Sequence, residues 1–319
     1  MKKFNYAVFF FLLTFILVAC SEESSSNNET VEADNSSDDK INIGSTVITS
    51  EHAFYVDIID GMEIEAEKQG VDITISDPKS DAETQNKQIS DFIQQDVDGL
   101  IVYGVDPSSS VPRVEEAIDQ GIPVVTADME LKTDKINTYV GTNNKSAGEE
   151  AGKFAVDYIE ENLNGEADVG IVVWESSVTQ KDRAQGFIDE VEKVPGAEVV
   201  AQLPGNDQET SLESTQSLLQ SHPDLDIIFT TNEGGALGAK NALEISGEED
   251  VKIIGFDITE QLATAIEDGS ILATIAQRPK LMGETTVESV VAAIEGEELD
   301  SNIPLSVELV TQDNVDEFK

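Results

Sequence analysis

Cysteine is nearly absent from this chain. Cys20 is the only one in 319 residues, so no internal disulfide can form and the fold must rest on its apolar core. Histidine is almost as scarce, with His52 and His222 alone. The sequence holds no metal-ligand cluster, nucleophile elbow or phosphate-binding loop, so no enzyme activity and no cofactor are expected. Positive charge is also short. The chain has 19 Lys and Arg against 64 Asp and Glu, a formal net charge of -45. So acidic a surface repels nucleic acid and excludes it as a partner.

Long apolar runs are missing too, except at the start. Lys2 and Lys3 precede an apolar stretch over 7–18, which leads into Leu17-Val18-Ala19-Cys20 and then Ser21. A basic start, an apolar stretch and small residues before a cleavage point read as a secretory signal. Cysteine directly after the small residue matches the bacterial lipobox. Residues 1–20 are therefore expected to be a lipoprotein signal peptide, with Cys20 as the lipid attachment point on the outer face of the cell membrane. The alternative is an uncleaved anchor, but the uncharged stretch over 4–19 falls a little short of the roughly 20 residues a span needs. Residues 21–40 are rich in Ser, Asn, Asp and Glu and cannot offset their ordering entropy. They read as a flexible tether spanning on the order of 25 Å.

About 280 residues follow, enough for two domains. From residue 41 onward, short β-branched runs alternate with amphipathic segments. The first five runs lie at 41–48, 71–75, 99–103, 123–126 and 138–140, and the second five at 169–174, 198–201, 226–230, 251–255 and 271–276. Runs of this kind predict strands buried on both faces, and the alternation predicts parallel, doubly wound sheets. Helical spacing is carried by Ile58, Ile59, Met62 and Ala66, by Ile89, Phe92 and Ile93, and by Val287, Val290 and Val291 near the end. The halves also repeat. Asp98-Gly99-Leu100-Ile101-Val102 corresponds to Leu225-Asp226-Ile227-Ile228-Phe229, and both fourth strands run into an aspartate, Asp128 and Asp257. The expected fold class is α/β, two similar doubly wound parallel-sheet domains stacked as copies of one unit.

In open α/β sheets, ligands bind beyond the carboxyl ends of the strands. Those ends carry His52, Phe54 and Tyr55, Asp128, Trp174, Asn232, Asp257 and Gln277, with Arg183 starting a helix near strand six. Carboxylates accept from hydroxyls, guanidinium donates, amides do both, and aromatic faces cover C–H surfaces. That mixture suits a neutral polyol. Each residue also has a structural reading. Phe54 and Tyr55 fit a helix core, Asp128 and Asp257 are good helix caps, and Asn232 could cap the next helix. Arg183 could pair with Asp189 or Glu190, and Gln277 could be a linker residue. His52 and Trp174 are balanced between structural and ligand roles. Glu233-Gly234-Gly235-Ala236-Leu237-Gly238 mimics a dinucleotide fingerprint, but Glu233 stands where its first glycine should be; these glycines read as close packing.

Taken together, Phe54-Tyr55, Asp128, Arg183-Ala184-Gln185-Gly186-Phe187, Thr231-Asn232-Glu233, Gly255-Phe256-Asp257 and Ala273-Thr274-Ile275-Ala276-Gln277 resemble the ribose-type periplasmic binding proteins of the type 1 fold, over nearly all of the chain from residue 41. The resemblance implies lobes at 41–141 plus 278–304 and at 142–277 plus 305–319, joined by crossover hinges near Gly141-Thr142, Gln277-Arg278 and Pro304-Leu305. It implies that Phe54 and Tyr55 flank a sugar that Asp128, Arg183, Asn232, Asp257 and Gln277 hydrogen-bond. It implies an extracytoplasmic monomer that hands a monosaccharide to an ABC importer permease, or alternatively presents it to a membrane sensor. The chain departs from the pattern at His52 (Asn in the family), Met129 (Arg) and Asn206 (an aromatic), and Trp174 could supply the missing ring.

Overall fold

Most of the helices start on a polar side chain that follows the preceding strand. His52 Nδ1 accepts from the Phe54 N–H at the start of α1 (Ala53–Gln69), which stops at Gly70 in the left-handed conformation with φ 71°. Asp81 caps α2 (Ala82–Gln94), Asn143 caps α4 (Asn144–Asn162) and Ser177 caps α5 (Val178–Val191). Asp207 and Thr210 form a capping box on α6 (Gln208–Ser221), which satisfies end-of-helix N–H groups that have no partner along the helix.

The computed structural model describes residues 40–318. The expectations for 1–20, Cys20 included, and for the tether up to Asp39 lie outside these residues. The chain runs through β1 (Asn42–Thr46), α1, β2 (Asp72–Ser76), α2, β3 (Gly99–Tyr103), α3 (Val111–Asp119), β4 (Val124–Ala127) and β5 (Thr138–Thr142). It then passes through α4, β6 (Glu166–Val173), α5, β7 (Gly196–Pro204), α6, β8 (Leu225–Thr230), α7 (Glu233–Ser246), β9 (Lys252–Phe256), α8 (Glu260–Glu267) and β10 (Ala273–Ala276). It closes with α9 (Pro279–Ile294), β11 (Asn302–Leu305), β12 (Glu308–Val310) and a short 3-10 turn (Val315–Phe318).

Two six-stranded sheets result, ordered β11-β5-β4-β3-β1-β2 and β12-β10-β9-β8-β6-β7. The orders are the same once each half is counted from its own first strand. The one difference of direction is at the edge: β11 runs parallel to β5, whereas β12 runs antiparallel to β10. The chain leaves the first sheet after Thr142, returns after β10, and passes to the second again between Leu305 and Glu308.

Each sheet has an apolar cluster on either face. Met62, Tyr103, Val140, Met282 and Val290 fill one side of the first sheet, and Phe92, Leu100 and Val114 the other. In the second, Phe187 and Phe229 stack at 4.2 Å between centroids. Burying a side chain of this size contributes about 1.5–3 kcal/mol. Glycines let helices meet backbone to backbone. A β-carbon on Gly283 of α9 would overlap the Ile58 carbonyl of α1, and one on Gly148 of α4 would overlap the Arg183 carbonyl of α5. Gly238 of α7 meets the Gln208 carbonyl of α6 in the same way, so this glycine of the fingerprint-like segment serves packing. No helix among the described residues is long and apolar enough to cross a membrane.

The structure departs from the sequence expectations in three ways. Strands β2 and β7 are only partly buried, because each lies at the edge of its sheet. Helix α4 was not foreseen, because its buried face is built mostly from Ala147, Gly148, Ala151, Gly152 and Ala155, with Ile159 as its one fully buried large aliphatic, which weakens the periodic signal. The short strands β11 and β12 were also missed; β11 contains Pro304, which sequence rules tolerate only at a sheet edge.

Candidate functional site

Asp128 follows β4 and Asp257 follows β9, and both hold the left-handed conformation, with φ of 64° and 71°. Neither caps a helix. The next element after Asp128 is β5, and α8 is capped by Thr259. Left-handed non-glycine residues are strained by roughly 1–3 kcal/mol and persist only where surrounding bonds fix them. Here the same bonds recur. The Asp128 N–H donates to Val140 O at 3.1 Å, and its carbonyl accepts from Tyr139 Oη at 2.9 Å. The Asp257 N–H donates to Ile275 O at 2.8 Å, and its carbonyl accepts from Thr274 Oγ1 at 2.7 Å.

The carboxylates differ in their partners. Tyr55 Oη donates to Asp128 Oδ2 at 2.8 Å. Gln277 Nε2 donates to Asp257 Oδ1 at 2.7 Å, while Gln277 Oε1 accepts from Thr142 Oγ1 at 2.7 Å. Burial pushes the Asp128 carboxyl up, and the charge of Asp257 adds to this. The Tyr55 hydrogen bond, the Arg183 guanidinium and His52 oppose it. Burial likewise raises the Tyr55 and Tyr139 hydroxyls, and Asp128 reinforces both shifts.

Arg183 does not start α5 but sits in its second turn, 7% exposed. It pairs with neither Asp189 nor Glu190; Lys145 and Lys193 take those. Its Nε donates to Asn144 Oδ1 at 2.8 Å, its Nη1 to Thr231 O at 2.9 Å, and its guanidinium lies 3.7 Å from the centre of the Phe256 ring. Stacking on an aromatic face suits the planar guanidinium. Burial lowers its pKa, and Asp257 and Asp128 oppose that. Asp128 after β4 and Tyr55 on α1 thus share one electrostatic field with Arg183 on α5 and Asp257 after β9.

The other candidates are placed less centrally. Asn232 caps α7 by accepting from Gly235 N–H at 2.7 Å, and its Nδ2 donates to Gln180 Oε1 and Gly205 O. His52 is the exposed cap of α1. Phe54 and Tyr55 are half-buried against the first-lobe core and meet edge to face at 5.3 Å. Trp174 follows β6 and is 44% exposed. Asn206 lies exposed beside α6, its Oδ1 accepting from Thr210 Oγ1. Three contributors escaped the sequence reading, Tyr139, Asn144 and Gln180, and Thr142 was foreseen only as part of a crossover. Tyr139 left only a faint signal, as a tyrosine two residues before Gly141. Its ring lies over that glycine, where a β-carbon would overlap it.

Two grooves lie elsewhere. One of about 430 Å³ runs between α6, α7 and α8 past Gln208, Lys240, Glu260 and Asp268. Another of about 360 Å³ lies beside the crossovers, lined by Asn143, Glu150, Pro304 and Leu309. None of the candidate ligand residues lines either.

Twin parallel sheets joined by three crossovers, with charged and amide side chains at their facing strand ends, define a two-lobed solute-binding protein of the type 1 periplasmic binding fold. Residues 43–298 match the family model of the periplasmic binding protein domain, and the chain belongs to that family, on its ribose-type branch. The ribose import binding protein of Bacillus subtilis is 32% identical over 279 residues, covering 87% of this chain and 90% of that protein. The arabinose-binding protein AraP of Geobacillus stearothermophilus superimposes with a TM-score of 0.82 at 25% identity, over 88% of this chain and 99% of that one. An ABC transporter solute-binding protein from Bacillus halodurans with bound myo-inositol gives a TM-score of 0.75 at 28% identity, over 88% and 97%.

Proposed function

We propose that this chain is the extracytoplasmic substrate-binding lipoprotein of an ABC importer, capturing a monosaccharide or related small polyol by closure of its two lobes. One observation carries the reading. Asp128 and Asp257 each spend one carboxylate oxygen on the protein, and Arg183 spends Nε and Nη1. Among the described residues, Asp128 Oδ1, Asp257 Oδ2 and Arg183 Nη2 have no hydrogen-bond partner. Two acceptors and a donor from both lobes match adjacent hydroxyls of a polyol, and each charge-assisted bond contributes about 1.5–3 kcal/mol. Two carboxylates against one guanidinium disfavour an anion. The relatives are named for ribose and arabinose, or hold myo-inositol; all three are neutral and hydroxyl-rich.

Binding shifts the population toward closure, because only the closed form lets one ligand touch both lobes. The lobes are 41–141 with 278–304 and 142–277 with 305–319, and they turn about the three crossovers. His52, Phe54 and Trp174 stand at the rim as further contacts, and Asn232 holds the second lobe's edge in place. The monomeric protein is tethered through Cys20 and delivers its ligand to a permease. A thermal-shift panel tests the ligand class. A neutral pentose, hexose or cyclitol at about 100 times its Kd should add about 2.7 kcal/mol of stability, with no gain from sugar acids. No response across the neutral panel, or a preference for acids, overturns it. Loss of lipid labelling in Cys20→Ala tests the anchor.

A further inference from the structure

Thr142 is the last residue of β5, where the chain first leaves the first sheet. Its register partner on β11 is Leu305, the last residue before the third passage. Its Oγ1 donates to Gln277 Oε1 at 2.7 Å, and Gln277 directly follows β10, where the second passage begins. Thr142 therefore meets all three crossovers, and it is only 8% exposed.

Two hydrogen-bond chains leave this residue. From the hydroxyl, one runs through Gln277 to Asp257 Oδ1 at 2.7 Å. From the carbonyl, the other runs through Asn144 Nδ2 at 3.1 Å, and Asn144 Oδ1 then accepts from Arg183 Nε at 2.8 Å. Both chains end on charged side chains of the second lobe. The hydroxyl must donate to Oε1, because the amide nitrogen of Gln277 is committed to the carboxylate. The polarity of the first chain is thus fixed, and a methyl in place of the hydroxyl would leave Gln277 Oε1 without its donor.

We infer that Thr142 is a positioning residue that ties the three crossovers to Asp257 and Arg183, so that rotation at the hinge and placement of those two side chains are a single event. The relay needs no knowledge of the ligand, but its value for binding rests on the polyol reading above. Thr142→Val keeps the shape and removes the hydroxyl, and Thr142→Ser keeps the hydroxyl. In the ligand-free full chain, amide exchange around Asp257 and Gln277 should quicken about three- to tenfold in Thr142→Val, as expected for one lost hydrogen bond. It should return to the wild-type rate in Thr142→Ser and stay unchanged around Asp128. Adding Thr142→Val to Gln277→Leu should cost nothing further. Wild-type exchange in Thr142→Val, failure of Thr142→Ser to restore it, or additive effects with Gln277→Leu would each overturn the relay. Trp174, the sole tryptophan, follows D-ribose and myo-inositol titrations of the same variants, where Thr142→Val should weaken binding and Thr142→Ser should not. If neither sugar binds the wild type, the polyol reading suffers while exchange still decides the relay.

Discussion

In the first lobe the carboxylate after the fourth strand is held by Tyr55 and its backbone by Tyr139, side chains from within the lobe. In the second lobe the corresponding carboxylate is held by Gln277, a residue of a crossover. The backbone device is shared, a left-handed aspartate bonded to the neighbouring strand on both sides. Among the described residues, only the second lobe adds a buried cation, Arg183. The two lobes therefore share the strand-end geometry while the side chains around it differ, the first held from within its own lobe and the second bonded to a crossover.

The glycine seams offer the strongest way to break this comparison. Gly283→Ala between α1 and α9 and Gly148→Ala between α4 and α5 should each cost about 1–3 kcal/mol in denaturant unfolding, since both force a methyl against a carbonyl. Only Gly148→Ala should also weaken polyol binding, because the carbonyl it displaces is that of Arg183. Equal affinity losses would show that the seams are equivalent after all. Next in size, Asp128→Ala and Asp257→Ala should each raise Kd at least about tenfold by calorimetry, a loss of about 1.4 kcal/mol or more. A carboxylate whose removal leaves Kd unchanged does not belong to the site. Tyr55→Phe should be milder, about two- to fivefold, because it deletes a support of Asp128 and leaves the carboxylate in place.

The smallest effect concerns pH. The Asp128 carboxyl is raised by burial in the folded protein, so its contribution to stability is fully present below the ordinary carboxylate range and lost as pH rises through the raised value. Ligand-free wild type should lose stability relative to Asp128→Asn as pH rises above the ordinary carboxylate value of about 4. A difference that stays flat or moves the other way contradicts the shift.

Much of the fold was legible because its strands are compact apolar runs and its halves repeat. Edge strands were over-read as buried, and α4 was overlooked because a face of Ala and Gly carries little hydrophobic contrast. At the site, Asp128, Arg183 and Asp257 stood out as charges at strand and helix ends. Tyr55 and Gln277 stood out as well, as candidate ligand residues, but their bonds to the two aspartates did not. Nothing in the spacing of Thr142 and Gln277, 135 residues apart, or of Tyr55 and Asp128, 73 apart, announces a hydrogen bond.

The sequence by itself determined a twofold α/β repeat, an acidic chain with no internal disulfide, and two matched aspartates at strand ends, because periodicity, charge and strand termini are local properties. Only the tertiary structure decided that both aspartates are left-handed rather than caps, that Arg183 rests on Phe256 rather than on an acidic neighbour, and that one threonine meets all three crossovers. Those outcomes depend on which distant segments the sheets bring side by side, and hydrogen bonds act over about 3 Å of space however many residues of chain lie between.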